Sequence, residues 1–312
     1  MMTASIFVVV YAAVLAFAIA CVARAVGYAR LPLHLRWELY PIPHEEKERA
    51  RHGGSYFELT DWWTKPTHIN LLGELRSMAS EIFFLRGLWE FRKKMWYRSY
   101  PFHLGLYLVI GAAGLLFFTA VLSILFPAFL FSGTAGIIQF AYRAAWLAGA
   151  ILILLGAASL LIYRLTDEQL RPYTVPGDVF NLVLFIATPG LLCCGYLVRP
   201  ADSPSALALA QGLLTFDTAV KVPGLLATGL IIGSLLLAYI PLTHMSHFIA
   251  KYFTYHFVRW DDRASLKDRK LEAKIAEYLT YRPNWGAPHV GGNSLNSWGD
   301  IVTSNPTQGG RK

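Results

Sequence analysis

The stretch Phe102–Phe126, FHLGLYLVIGAAGLLFFTAVLSILF, decides the fold. It contains no Asp, Glu, Lys or Arg, and Arg98 and Pro127 bound it. A helix needs about 20 predominantly apolar residues to cross the hydrocarbon of a bilayer. Four more runs are built the same way. Ile6–Val26 carries only Arg24, near its end, and Ile138–Tyr163 has Arg143 near its start and is closed by Arg164, Asp167, Glu168 and Arg171. Val179–Val198 ends at Arg199, and Val222–Ile249 is the last run. Helices are therefore expected at about 4–26, 102–126, 138–163, 179–199 and 222–249. The expected fold class is all-α, an integral membrane bundle of five helices and not a soluble globular domain.

Composition agrees with that pattern. Of 312 residues, 55% are hydrophobic and 15% are charged, with a mean hydropathy of +0.41. Soluble domains carry about 25% charged residues. The first run lacks the basic leader and small-residue cleavage signal of a secretory peptide, so it reads as a retained helix. Pro189 is tolerable inside a membrane helix whose neighbours satisfy the freed carbonyl. Pro223 suits a helix start, and Pro241 predicts a kink one to two turns before His247.

Basic residues orient the spans. The segment from Tyr28 to Ser99 holds twelve Lys or Arg, including Arg92, Lys93, Lys94 and Arg98. The loop between the second and third spans holds none before Arg143. The third loop contributes Arg164 and Arg171, and the tail is rich in Lys and Arg from Lys251 onward. Positive-inside reasoning places the long loop 28–100, the third loop and the C-terminus in the cytoplasm, with the N-terminus outside. Within the long loop, Leu71–Phe91 alternates acids and bases with Leu72, Leu75, Met78, Ile82, Phe83 and Leu88. That is an amphipathic helix, lying on the membrane interface or packed under the bundle. Residues 1–262 are expected to form the membrane domain, and 263–312 a cytoplasmic, partly irregular tail. Beyond Thr280 the tail is rich in Gly, Pro, Asn and Ser, and a partner surface is expected to order it.

Cys21, Cys193 and Cys194 match neither zinc nor iron–sulfur spacing, so an electron carrier here needs other ligands. The nine histidines supply them. His34, His44, His52 and His68 lie in the long loop, and His256 and His289 in the tail, where surface roles suffice. His103, His244 and His247 lie at ends of apolar runs, where an ionisable group is costly. The topology puts His103 and His247 at one depth. Two axial imidazoles from facing helices would make a six-coordinate b-type haem site. No Cys-x-x-Cys-His motif for covalent haem occurs. His244 and His247, three apart, share roughly one helical face, so either is a possible ligand. The competing reading is that all three only hydrogen-bond backbone groups or lipid headgroups.

Two stretches carry a family resemblance: Pro101-Phe102-His103-Leu104-Gly105, and Pro241 through His247 to Lys251-Tyr252 and Val258-Arg259. They resemble the membrane cytochrome b (gamma) subunit of respiratory nitrate reductase. The likeness is nearer to the gamma-like subunits paired with heterodisulfide-reductase-like iron–sulfur proteins in sulfur- and sulfate-metabolising membrane complexes. The resemblance implies His103 and His247 as ligands of the haem nearer the cytoplasm, with His244 at a position that suits a propionate contact. It also implies a second, outer haem, but Ala113 and Gly229 stand where its ligands would be. One haem b is therefore expected.

The resemblance further implies a multi-pass subunit of a prokaryotic inner membrane. It would pass electrons between menaquinone or a related quinone and a cytoplasmic iron–sulfur partner that holds the clusters, and a possible outer multihaem cytochrome c is a further partner. On this reading the chain is the quinone-reactive subunit of an oxidoreductase complex, with no substrate chemistry of its own. His244 and Tyr107 are candidate quinone contacts; Asp217 and Lys221, at the outer entrance to the fifth span, suit end-capping and interfacial anchoring, the alternative being an outer site or proton path. Membrane lipids are expected partners and nucleic acid is not. The alternative is a non-redox membrane scaffold with structural histidines. A transporter is disfavoured by the few intramembrane ionisable groups.

Overall fold

The computed structural model describes residues 2–30, 60, 61, 64, 71–255, 269–285 and 295–304. Among them the regular structure is entirely helical. Five helices are long and apolar enough to cross a membrane: Ala4–Ala29, Lys93–Leu125, Gly133–Thr166, Pro176–Leu197 and Gly224–Leu242. The chain divides into two compact units, Met1–Ala25 with Leu75–Ile249, and Val26–Glu74 with Ala250–Lys312.

The helices in order are α1 (Met2–Ala29), α2 (Leu71–Phe84), α3 (Arg86–Phe91), α4 (Lys93–Leu125), α5 (Gly133–Thr166) and α6 (Pro176–Leu197). They continue as α7 (Ala206–Thr215), α8 (Gly224–Tyr239), α9 (His247–Tyr255), α10 (Arg269–Leu279) and α11 (Trp298–Thr303). Local chemistry sets several ends. Ser132 caps α5 by accepting from the Ala135 N–H at 3.1 Å, and Ser205 caps α7 through the Ala208 N–H at 3.1 Å. Pro176 opens α6, and the Asp178 carboxylate accepts from the Val175 N–H at 3.2 Å.

The bundle is held by close helix contacts more than by bulky side chains. A Cβ on Gly105 of α4 would sit 2.7 Å from the Gly149 carbonyl oxygen of α5, and one on Gly149 2.8 Å from the Gly105 carbonyl oxygen. Gly195 of α6 meets the Leu226 backbone of α8 in the same way, at 2.6 Å. Small residues let membrane helices approach until dispersion contacts and backbone dipoles hold them. Phe102, Ile153, Ala157, Leu160, Leu182, Phe185 and Leu236 form the core beside these contacts. The outer faces are apolar too: Ile110 is 68% exposed, Phe140 74%, Leu155 64% and Leu235 58%. In water such faces would drive aggregation, whereas in lipid they are solvated.

Two features depart from the sequence expectations. The fifth span ends at Leu242 instead of running to Ile249, because the chain breaks at Pro241 instead of only kinking. Proline lacks the N–H and its ring clashes with the carbonyl one turn back. Ile240–Leu242 and His244–Ser246 are 3-10 turns, Thr243 between them is extended, and α9 begins at His247. The second departure is α7, a ten-residue apolar helix inside what reads as a loop. It is too short to span. Gln211 Nε2 donates to Ser123 Oγ at 2.8 Å, and Tyr11 Oη donates to the Leu213 carbonyl at 2.7 Å, tying α7 to α4 and α1.

The amphipathic stretch forms as expected, split into α2 and α3 at Leu85, whose φ of 50° is left-handed. The Glu81 carboxylate accepts from the Gly87 N–H at 2.8 Å and holds the corner. In the second unit, Tyr28 and Phe253 rings lie 5.9 Å apart. In the tail, the Trp298 N–H donates to the Tyr281 carbonyl at 2.9 Å, and the Trp285 and Trp298 rings lie 5.8 Å apart.

Candidate functional site

His103 stands in the first third of α4, two residues after Pro101. His247 is the first residue of α9, delivered by the break at Pro241. They are separated by more than a hundred residues in sequence, yet their ring centroids are 6.3 Å apart with an interplanar angle of 65°. His103 is half-buried and His247 exposed, so the pair is accessible from outside the bundle.

Each ring turns the same nitrogen to its own backbone. His103 Nδ1 lies 2.8 Å from the Ser99 carbonyl oxygen and 3.2 Å from Ser99 Oγ, and His247 Nδ1 lies 3.4 Å from the His244 carbonyl oxygen. A metal-ligating histidine characteristically donates its second N–H to a carbonyl, which fixes the tautomer and the ring plane. With Nδ1 so engaged, Nε2 would be the nitrogen left to hold a metal. An imidazole nitrogen sits about 2.0–2.1 Å from a first-row metal and about 1.2 Å from its own ring centre, so two rings clamping one ion have centres about 6.5 Å apart. The observed 6.3 Å fits that separation. It also falls in the range of ordinary aromatic pairs, so the distance permits an iron clamp without requiring one. Among the described residues there is no cluster of three or more His, Cys, Asp or Glu that would make an all-protein metal site. His103 and His247 are the residues that would hold a haem.

His244 parts company with His247. The 3-10 turn takes it off the shared helical face and points its ring at α6. His244 Nε2 lies 3.7 Å from Asp178 Oδ1 and 3.5 Å from Asn181 Nδ2, while Arg164 Nη1 lies 3.2 Å from Asp178 Oδ2. Both His244 contacts are longer than a typical hydrogen bond. Asn181 Oδ1 is buried without a hydrogen-bond partner. Asp178, Arg164 and Asn181 were not singled out as site residues in the sequence. The available signal was an amide inside an apolar run.

Arg24, the one charge in the first span, answers the break at Pro241. Its Nε donates to the Pro241 carbonyl at 3.1 Å and its Nη2 to the Leu242 carbonyl at 3.0 Å. Tyr107, the other expected quinone contact, donates its hydroxyl to the Ile82 carbonyl at 2.6 Å, at the C-terminus of α2. Asp217 closes a turn by accepting from the Ala219 N–H at 2.9 Å, and Lys221 is exposed. At the outer positions, Ala113 is exposed, whereas a Cβ on Gly229 would already touch Leu192 at 3.0 Å. Neither residue offers a ligand. His34, His44, His52, His68, His256 and His289 lie outside the described residues.

Comparison with protein-family models, with curated proteins and with solved structures finds no match to this chain.

Proposed function

We propose that this chain is the membrane electron-transfer subunit of a respiratory complex, with one b-type haem held between His103 and His247. The observation that carries this reading is the meeting of two imidazoles from distant segments, 6.3 Å apart, each with Nδ1 turned to its own backbone. When bound, a haem supplies reversible one-electron chemistry. The chain's own residues orient the two rings, and the break at Pro241 delivers one of them.

The electrons pass between a quinone pool, menaquinone by resemblance, and a cytoplasmic iron–sulfur partner of the heterodisulfide-reductase-like type. This assigns the loop 28–100 and the C-terminus to the cytoplasm of a prokaryotic inner membrane. His244, whose ring faces Asp178 and Asn181 of α6, stays the candidate for a propionate or quinone contact by resemblance. Substrate chemistry belongs to the partner.

The test is spectroscopic. Dithionite-reduced minus oxidised spectra of the purified protein are expected to contain a b-type α band, and pyridine haemochrome analysis to give one haem per chain. His103→Ala and His247→Ala each remove the band, and His244→Ala retains it. A wild-type protein purified from haem-sufficient cells without the band would leave the non-redox scaffold as the better reading. A band retained in both ligand variants would overturn the ligand assignment.

A further inference from the structure

The corner formed by α2, α3 and the first turn of α4 is charged and apolar at once. Arg92, Lys93 and Lys94 follow one another and are all exposed. Among the described residues no carboxylate pairs with any of the three; the nearby acid Glu90 is taken by Arg86, with Nε 2.6 Å from Oε1. Lys93 Nζ stands 4.9 Å over the Trp89 ring. All three cations gather at the positive end of α4, whose first turn has no side-chain cap. The field at this corner therefore calls for an anion.

The surface beside them rejects water. Phe91 is 73% exposed and Phe84 60%. An open groove of about 290 Å³ runs between Ser80, Phe84, Arg86, Trp89 and Trp96, and its walls are almost wholly apolar. It is braced: Trp96 Nε1 donates to the Phe84 carbonyl at 2.8 Å, and Trp96 stacks on Tyr100 with centroids 4.5 Å apart. Tryptophan and basic side chains together mark the level of lipid headgroups, where a ring has one wet edge and one apolar face.

We propose that this corner is a binding site for an anionic phospholipid. Its phosphate lies on Arg92, Lys93 and Lys94, and its glycerol and upper acyl carbons lie along the Trp89–Trp96 groove. A soluble acidic protein would satisfy the cations but would leave the exposed Phe84 and Phe91 without an apolar partner. A lipid satisfies both. The proposal rests on the membrane reading alone and does not depend on a haem.

The whole delipidated protein, titrated with phosphatidylglycerol or phosphatidylcholine, is examined by native mass spectrometry and by thermal unfolding. Retained adducts and a raised unfolding temperature are expected with phosphatidylglycerol over phosphatidylcholine. A surface cation is worth about a fivefold change in anionic-lipid affinity, so the Arg92→Gln, Lys93→Gln, Lys94→Gln triple variant loses most of the preference. Lys93→Arg with Lys94→Arg keeps it, and Lys221→Gln, in the exposed segment before α8, leaves it intact. Equal binding of the two lipids by wild type overturns the proposal. So does equal protection by inorganic phosphate alone, or a triple variant that keeps its lipid preference and loses only a copurifying protein.

Discussion

Replacing Gly156 by alanine tests the packing that carries His103. A Cβ at this position on α5 would stand 2.6 Å from the Phe102 nitrogen, 2.7 Å from its Cα and 2.7 Å from its Cβ. These are backbone and near-backbone atoms of the residue before His103, so no flexible side-chain end can move aside. Reaching ordinary contact at 3.4 Å requires α4 and α5 to separate by about 0.7–0.8 Å at this point. Overpacking of this kind costs about 1–3 kcal/mol. Better helix propensity returns up to about 1 kcal/mol, so the net change is destabilising. Gly114→Ala is the control, because a Cβ there meets nothing within 4 Å. It keeps the propensity gain without the clash. The two chemically identical substitutions should therefore move the unfolding midpoint of the detergent-solubilised protein in opposite directions. If the proposed haem is present, Gly156→Ala should also lower its content, since the His103 ring moves with Phe102. Equal midpoints for the two variants would refute the reasoning that Gly156 sets the distance between α4 and α5.

Arg24→Ala leaves the Pro241 and Leu242 carbonyls without their donors. A loss of about 1.5–3 kcal/mol is expected for each charge-assisted bond, with faster hydrogen exchange through 243–249 and partial recovery in Arg24→Lys. Unchanged exchange in the alanine variant would show that the break holds itself. In the tail, the Ser297 hydroxyl and then its N–H lower the pKa of Asp300 below the usual aspartate value. A depressed carboxylate adds stability that is present above the unfolded pKa and is lost as pH falls through the lower folded value. Amides of α11, corrected for intrinsic exchange, should therefore lose protection only in acid below the ordinary aspartate range. Ser297→Ala should bring the Asp300 titration, followed by carboxyl NMR, back toward that range.

The five spans were legible from residue order because crossing hydrocarbon is a local demand, met by about 20 apolar residues wherever they occur. The amphipathic stretch from Leu71 was legible for a similar reason, since helical periodicity places charge and apolar side chains on opposite faces. His103, His244 and His247 were also marked by sequence, as polar groups at the ends of apolar runs. Which of them meet was not. The sequence left His244 and His247 on one helical face, and only the break at Pro241 sends His244 toward Asp178 and His247 toward His103. The short helix Ala206–Thr215 and the role of Arg24 were hidden for the same reason: each depends on partners about 90 to 220 residues away in the chain. Hydropathy records what each residue prefers to be solvated by, whereas the pairing of side chains depends on helix spacing. Here that spacing is fixed by glycines whose closeness appears only when two helices are laid together.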